Sequence, residues 1–259
     1  MEICLFIAQK NNVCYYDFDS KKEGFYMSKK KIKIIAIMSV IVVLVIAAVI
    51  LTTNVLVPYI QHKRVVKAMS EYYDNKITLY EQENKDADEI DVVFLGDSLT
   101  DGCDLKKYYP DYVTLNRGIG GDTTRGLLER LEVSVYDVKP KVCVMLIGGN
   151  NIDTMFNDYE NILKGFEKNI PDTKIILVSL TAMGGDFKEK NYIAAYNNIK
   201  IKELAEKYGY SYVDVFSPLL NQQTDEIYSQ YTIDGVHFSD KGYEVVTKAI
   251  NEEIKKILK

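Results

Sequence analysis

The chain has 259 residues, of which 47% are hydrophobic and 27% are charged. This composition is typical of a globular protein and excludes a wholly disordered, collagen-like or low-complexity chain. The formal net charge of −5 argues against a nucleic-acid-binding protein that is held by phosphate contacts.

Charge and hydrophobicity divide the chain near its N-terminus. The first 59 residues hold seven Lys and four acidic residues, a net charge of +3, so the remainder carries −8. Between Ile34 and Leu51 the only polar side chain is that of Ser39, and the apolar character continues to Val57. A run of this length can cross a bilayer as a helix. A basic segment before it and an acidic body after it indicate a membrane boundary.

The apolar run at residues 34–57 is therefore predicted to be an uncleaved signal anchor of a single-pass membrane protein. Positive charge prefers the cytoplasmic side, which puts the N-terminus inside the cell and the C-terminal body outside it. The positive charges that precede the run are Lys29, Lys30, Lys31 and Lys33. A buried core helix and a cleaved signal peptide are the alternatives. The run is long for a signal peptide, and residues 52–55 lack a clean small-x-small cleavage site.

Three further segments complete the predicted domain organisation. Residues 1–33 form a cytoplasmic tail, for which Met27 is a second possible start, so the sequence leaves open whether residues 1–26 are made. Residues 58–88 form a stalk helix, predicted over residues 60–82, and a linker, because apolar side chains recur at three- and four-residue steps from Val65 to Tyr80. Residues 89–259 form the main domain.

The cysteines give little information about function. Cys103 and Cys143 follow the apolar run, and the sequence leaves a disulfide between them open. No Cys-x-x-Cys spacing occurs, so neither a zinc site nor a dithiol redox site is indicated.

From Ile90 onward, apolar runs typical of strands alternate with helix-like stretches. The strand-like runs cover residues 90–95, 113–115, 142–147, 175–180 and 212–216, and the helix-like stretches about 123–135, 155–169, 191–208 and 240–258. Such alternation predicts a three-layer α/β/α sandwich around a five-stranded parallel sheet. Ligands bind at the carboxyl ends of the strands in these sheets. The residues that follow each strand are therefore the candidates for function.

The first strand-like run leads into Ser98, at the turn where a strand gives way to a helix. A hydroxyl at this position faces free N–H groups and the positive end of a helix dipole. An ordinary helix cap explains Asp97 and Ser98 equally well. The common G-x-S-x-G nucleophile elbow is absent, because Thr100 stands where its second Gly would be.

The next two strand-like runs end in glycines and amides. Gly118, Gly120 and Gly121 let the backbone approach a ligand closely and point its N–H groups into a site. A phosphate-binding P-loop is excluded, because no Gly-Lys-Ser/Thr follows. After the third run, Gly149 and Asn150 can place an amide side chain as a hydrogen-bond donor, although a plain turn has the same composition.

The chain has two histidines, and His237 is the candidate imidazole base of the main domain. His62 belongs to the predicted stalk. Asp234, three residues before His237 across a Gly turn, can accept a hydrogen bond from the ring and fix its tautomer. A metal site is not indicated, because no second His or Cys ligand is available.

The candidate residues lie in four sequence blocks: the one at Ser98, the glycine-rich run 118–121, the pair 149–150 and the segment 234–237. In this order, they resemble the SGNH hydrolase superfamily, also called GDSL esterases and lipases, over about residues 89–259. Within it, the runs 116–124 and 139–141 resemble the catalytic subunits of intracellular platelet-activating-factor acetylhydrolase. The resemblance implies a flavodoxin-like SGNH hydrolase fold and the cleavage of small-acyl esters. Asn151 departs from the superfamily pattern, since the block that follows the third strand most often has Asp at this position.

The resemblance also implies a role for each site residue. Ser98 is the nucleophile, His237 the general base and Asp234 the carboxylate that orients it. The oxyanion hole consists of the backbone N–H groups of Ser98 and Gly121 and the side-chain amide of Asn150. No metal or organic cofactor is needed. The implied partner is a small-molecule or polysaccharide ester, with an acetyl ester of surface polysaccharide as the first candidate.

Two other functions stay open on the sequence. If a sugar hydroxyl replaces water, the same site becomes an O-acetyltransferase acting on cell-surface polysaccharide. A non-catalytic surface carbohydrate-binding protein is the second alternative. The sequence does not reveal the acyl group, the alcohol or the oligomeric state. Asp97 is predicted to be structural, and the loop Met183–Phe187 is predicted from its position to line the pocket.

Overall fold

A computed structural model of the protein describes residues 13–14 and 27–259. Contacts divide the chain into two compact units, one that ends at Ser70 and one that spans Glu71–Lys259. Most of the predicted cytoplasmic tail lies outside the described residues. Of it, Val13–Cys14 pairs in antiparallel fashion with Met27–Ser28.

The N-terminal unit is dominated by a helix that begins at Lys29. Helix α1 (Lys29–Leu51) is followed by a π-helical turn (Thr52–Leu56) and by helix α2 (Val57–Lys85), whose last turns belong to the second unit. The Ser28 side chain caps α1 by accepting a hydrogen bond from the Lys31 N–H. No residue of α1 is buried. Within the described chain, the continuous helical stretch Lys29–Lys85, which begins with α1, is the one that is long and apolar enough to cross a membrane. Signal sequences share this property.

The second unit is built on a parallel sheet of five strands in the order β2-β1-β3-β4-β5. The strands are β1 (Val92–Gly96), β2 (Thr114–Gly118), β3 (Val142–Leu146), β4 (Lys174–Val178) and β5 (Ser211–Val213). The predicted five-stranded parallel sheet is thus confirmed. This strand order is the flavodoxin-like one, in which the order reverses beside β1.

Helices cover both faces of this sheet, so β1 and β3 are buried along their whole length. The helices are α3 (Ser98–Asp101), α4 (Leu105–Tyr108), α5 (Thr124–Glu129), α6 (Phe156–Asn169), α7 (Asn191–Tyr208), α8 (Phe216–Leu219) and α9 (Asp240–Ile257). On one face α5 contacts α6, and Tyr208 of α7 donates a hydrogen bond to Glu160 of α6. On the other face Tyr243 of α9 donates a hydrogen bond to the Leu99 carbonyl.

The register of three neighbouring strands, β2, β1 and β3, places their carboxyl ends side by side. Gly96, the last residue of β1, is paired with Gly118 of β2 and with Leu146 of β3. The segments after these strands therefore leave the sheet together at one edge. A side chain at Gly96 would collide with the Leu146 carbonyl and with Thr100, which explains why glycine stands there.

Some segments differ from the sequence prediction. Strand β2 continues through the polar residues Asn116 and Arg117, and α2 extends to Lys85, beyond the predicted end at residue 82. The predicted helix at 123–135 consists of α5 and a separate π-helical turn, Glu132–Tyr136. Cys103 and Cys143 are both free thiols, so the disulfide left open by the sequence is not formed.

Candidate active site

Three side chains from two distant parts of the second unit form a hydrogen-bonded chain. The Ser98 Oγ lies 3.1 Å from the His237 Nε2, and the His237 Nδ1 lies 2.6 Å from the Asp234 Oδ2. Because Nδ1 faces a carboxylate, the ring carries its proton there and leaves Nε2 free to accept one from the serine hydroxyl. This arrangement is that of a nucleophile, a base and a base-orienting carboxylate.

The loop that carries Asp234 and His237 is stabilised by its own backbone. The second oxygen of Asp234 accepts hydrogen bonds from the N–H groups of Val236 and His237, at 2.9 and 2.8 Å. Together with the bond to the imidazole, which has the largest effect, they lower the pKa of Asp234 to about 2. The Thr232 hydroxyl donates to the His237 carbonyl and accepts from the Gly235 N–H, both at 2.8 Å. Asp234 is therefore ionised at neutral pH.

The turn that presents Ser98 is buried. Asp97 is 3% exposed and accepts a hydrogen bond from the Leu99 N–H at 3.1 Å, as the cap of α3. Burial raises the pKa of Asp97 to about 6. These contacts agree with the predicted structural role of this carboxyl group.

The glycine-rich loop after β2 lies against this turn. The Ile119 N–H donates to the Gly96 carbonyl at 3.1 Å, and the Asp122 N–H closes a turn onto the Ile119 carbonyl at 3.1 Å. Gly121 has a φ of +79° within that turn, a conformation that favours glycine. The Asn150 amide nitrogen donates to the Asp122 carbonyl at 2.8 Å, which leaves its second hydrogen for another acceptor.

A buried arginine connects the two segments. Arg130 bonds the Asp122 carboxylate through Nε at 2.8 Å and the carbonyls of Arg117 and Gly96 through Nη1 and Nη2, at 2.9 and 3.0 Å. Asp122 and Arg130 are both nearly inaccessible to solvent. The end of β1 and the loop after β2 are therefore fixed to one side chain. Neither a motif nor a spacing in the sequence marks Arg130 for this position.

Ser98, Asp234 and His237 open into a cavity of about 380 Å³. Its walls are mainly apolar, and Met183 and Phe187 of the predicted pocket loop contribute to them. Asn150 also lines the cavity, whereas Gly121 lies on the adjoining turn. The other lining residues are Asp97, Leu99, Leu146, Gly149, Leu180, Thr181, Lys190 and Val236.

Two further sequence predictions concern Asn151 and metal binding. The Asn151 side chain donates to the Thr124 hydroxyl and accepts from the Thr124 N–H, at 2.9 and 3.3 Å, so it supports the start of α5. In the part of the chain that the structure describes, no cluster of three or more His, Cys, Asp or Glu residues could hold a metal ion.

Comparison with known proteins identifies the family. The sequence model that describes the GDSL-like lipase/acylhydrolase family matches residues 94–245. The chain belongs to this family. As a GDSL-like acylhydrolase it is a member of the carboxylic ester hydrolases, and the predicted resemblance to SGNH hydrolases is confirmed.

Among curated proteins, the chain is similar to subunits of platelet-activating factor acetylhydrolase IB. It is 30% identical over 188 residues to the human alpha2 subunit, which covers 66% of this chain and 78% of that subunit. The alpha1 subunit of Rattus norvegicus is 27% identical over 182 residues, covering 66% and 77%.

Solved structures show the same GDSL-type fold. A candidate platelet activating factor from Streptococcus pneumonia superposes with a TM-score of 0.70 at 24% identity, covering 76% of this chain and 99% of that one. An acetylxylan esterase from Geobacillus stearothermophilus, solved as a catalytic mutant, has a TM-score of 0.53 at 21% identity, covering 65% and 95%.

Proposed function

We propose that this protein hydrolyses short-chain esters, acetyl esters first among them, through an acyl-enzyme on Ser98. The observation that carries the proposal is the hydrogen-bonded chain of Ser98, His237 and Asp234 at the mouth of a cavity. The similarity to acetylhydrolase subunits supports a small acyl group.

In the proposed reaction, the Ser98 Oγ attacks the ester carbonyl while the His237 Nε2 takes its proton. Asp234, ionised and bonded to Nδ1, stabilises the imidazolium that forms. The imidazolium then protonates the departing alcohol. In the second half, water gives a proton to His237 as its oxygen attacks the acyl carbonyl, and the acid leaves as Ser98 recovers its proton.

The developing negative charge on the carbonyl oxygen needs hydrogen-bond donors. We assign the backbone N–H groups of Ser98 and Gly121 and the free amide hydrogen of Asn150 to this role. Loss of one such donor costs about 10²–10³ in turnover in comparable sites. The bond from Asn150 to the Asp122 carbonyl holds the amide plane, which supports its assignment as a fixed donor.

The direct test measures hydrolysis by the full-length chain in detergent, with 4-nitrophenyl esters of two to twelve carbons. We expect turnover to be highest with the acetyl ester, and we expect Ser98→Ala to abolish it. A fluorophosphonate probe should label the wild-type chain and not this variant. Ser217→Ala, which removes an exposed hydroxyl bonded to Asp214, is the matched control and should keep full activity.

Two outcomes count against the proposal. Undiminished hydrolysis by Ser98→Ala would refute the assigned nucleophile. Absence of turnover with every ester, together with absence of labelling, would instead support a non-catalytic binding protein on this fold. The same assay, run on an acetyl ester with sugar acceptors present, distinguishes hydrolysis from transfer, because hydrolysis releases free acetate and transfer yields an acetylated sugar.

We further propose that α1 anchors the protein in the cell membrane, with the N-terminus in the cytoplasm and the second unit outside. The support is the apolar helix and the lysines before it. The chain should stay in the membrane fraction after an alkaline carbonate wash, and protease added to intact cells should digest the second unit. A mature protein whose sequence starts after Leu51 would contradict the anchor.

A further inference from the structure

The end of α2 lies outside the segment that matches the family, yet it contacts the loop after β2. The family match covers residues 94–245, whereas the compact second unit begins at Glu71. Residues 71–85 therefore form part of the unit that contains the site. Their polar side chains contact the strand end and the glycine loop that follow β2.

The first set of contacts fixes the end of β2. Tyr80 is 1% exposed, and its hydroxyl donates to the Gly118 carbonyl at 2.6 Å. The Arg117 guanidinium lies over the Tyr80 ring, 4.5 Å from its centroid, and is bonded to Glu83 and, at 2.8 Å, to Asn84. The position of the chain as it enters the glycine loop therefore depends on α2.

The second set of contacts joins the glycine loop to the helix of the nucleophile. The Tyr72 hydroxyl donates to the Asp101 carboxylate and accepts from the Gly120 N–H at 3.4 Å. Asp101 is the last residue of α3, whose first residue is Ser98, and it is also bonded by Lys76. The Tyr72 hydroxyl thus adds a link between the glycine loop and the helix of the nucleophile, beside the backbone bond from Ile119 to Gly96.

The glycines make such a link necessary. Gly120 and Gly121 lack side chains that could fix their backbone, and Gly121 has a positive φ. The peptide group that bonds to Tyr72 is directly followed by the one that carries the Gly121 N–H. Rotation of the first peptide therefore changes the direction of the second.

We propose that Tyr72 is a positioning residue for ester hydrolysis, whose hydroxyl aligns the Gly121 N–H with the oxyanion. This inference rests on the proposed function and on the assignment of Gly121. Tyr72 is not among the residues that line the cavity, so we expect it to act on the transition state through the loop. Misalignment weakens a donor without removing it, so we expect a loss of about 10-fold in kcat, below the cost of deleting a donor.

The test compares Tyr72→Phe with Tyr73→Phe in the full-length chain in detergent, using 4-nitrophenyl acetate. Tyr73 is the next residue of the same helix, but its hydroxyl donates to the Gly126 carbonyl of α5 at 3.4 Å. We expect Tyr72→Phe to lower kcat about 10-fold with KM unchanged and Tyr73→Phe to keep the wild-type kcat. The rate of phosphonylation of Ser98 by a fluorophosphonate should fall in parallel, because that reaction also places an oxygen in the oxyanion hole.

Each other result decides against the proposal. Equal kcat for Tyr72→Phe and the wild type shows that the link is not needed. An equal loss in both variants, or a loss of activity that follows a loss of melting temperature, assigns Tyr72 a structural role only. A wild-type chain that hydrolyses no ester overturns the proposed function itself, which is a different outcome from a normal wild type with an unaffected Tyr72→Phe.

Discussion

Two carboxyl groups line the same cavity in opposite environments. Asp97, at the end of β1, is 3% exposed, whereas the Asp234 side chain, on the loop before α9, is 49% exposed. Burial raises the pKa of Asp97 to about 6, and hydrogen bonds from His237 and the backbone lower the pKa of Asp234 to about 2. The Asp97 carboxyl group therefore has a structural role, whereas the Asp234 carboxylate has, in our proposal, a catalytic one.

The contrast extends to the neighbours of each group. On the side of the nucleophile, buried Arg130 bonds the carbonyl of Gly96, the residue before Asp97. On the side of the base, the loop is closed by Thr232 and by two backbone bonds, from the Ile233 N–H to the His237 carbonyl at 3.0 Å and from the Gly184 N–H to the Gly235 carbonyl at 2.7 Å. We therefore expect changes near the base to cost activity and changes near the nucleophile to cost stability.

The largest effect is expected from Asp234→Asn. An asparagine cannot stabilise the imidazolium and favours the wrong tautomer of His237, so kcat for 4-nitrophenyl acetate should fall about 10⁴-fold at pH 7.5. The urea midpoint of unfolding should stay close to that of the wild type, because the carboxylate is half exposed. Steady-state kinetics and urea titration check the two parts separately.

Asp240→Asn is the matched control, since this exposed carboxylate pairs with Lys107 away from the cavity. It should leave both quantities unchanged. A fall in kcat of less than 10-fold for Asp234→Asn would show that this carboxylate does not serve as the third member of the triad.

On the other side, Arg130→Met should mainly reduce stability. The substitution leaves the Asp122 carboxylate buried without its cation, which costs about 3–5 kcal/mol in free energy of unfolding. Arg125→Met removes an arginine from the same region whose side chain is 64% exposed in its ion pairs with Glu129 and Asp158, so it should cost less than about 1 kcal/mol. Equal losses for the two variants in urea titrations would contradict the contrast between buried and exposed networks.

The sequence predicts the sheet well, because its strands are continuous apolar runs. Strands β1, β3 and β4 begin and end within two residues of the predicted limits. β2 is longer than its apolar run, since Arg117 is buried against Tyr80 and Glu83 instead of facing solvent. β5 is shorter, because the Asp214 side chain accepts from the N–H groups of Phe216 and Ser217 and turns the chain.

Ser98 and Asn150 stood out because they follow strands whose ends meet at one edge, whereas His237 stood out as one of two histidines, with Asp234 three residues before it. Ser98, Asn150, Asp234 and His237 all line one cavity. Their supports were not predictable in the same way. Arg130 directly follows α5 and has non-helical backbone angles (φ −116°, ψ 12°). Its side chain reaches the Gly96 carbonyl through the buried interior, a contact that depends on the assembled sheet.

The smallest effect concerns the pH dependence of stability, and it tests the buried half of the comparison. The pKa of Asp97 is about 6 in the folded protein against 3.8 for an unperturbed Asp, so the folded state binds more protons between these values. Stability contributed by the neutral carboxyl is therefore present below about pH 4 and is lost as the pH rises through about 6. A difference of about two pKa units corresponds to about 3 kcal/mol.

Asp97→Asn keeps an oxygen for the Leu99 N–H and cannot ionise, so its stability relative to the wild type should rise by up to that amount between pH 4 and 7. Urea titrations across this range measure the difference, and a constant difference would show that Asp97 is ionised as readily as an exposed carboxyl group.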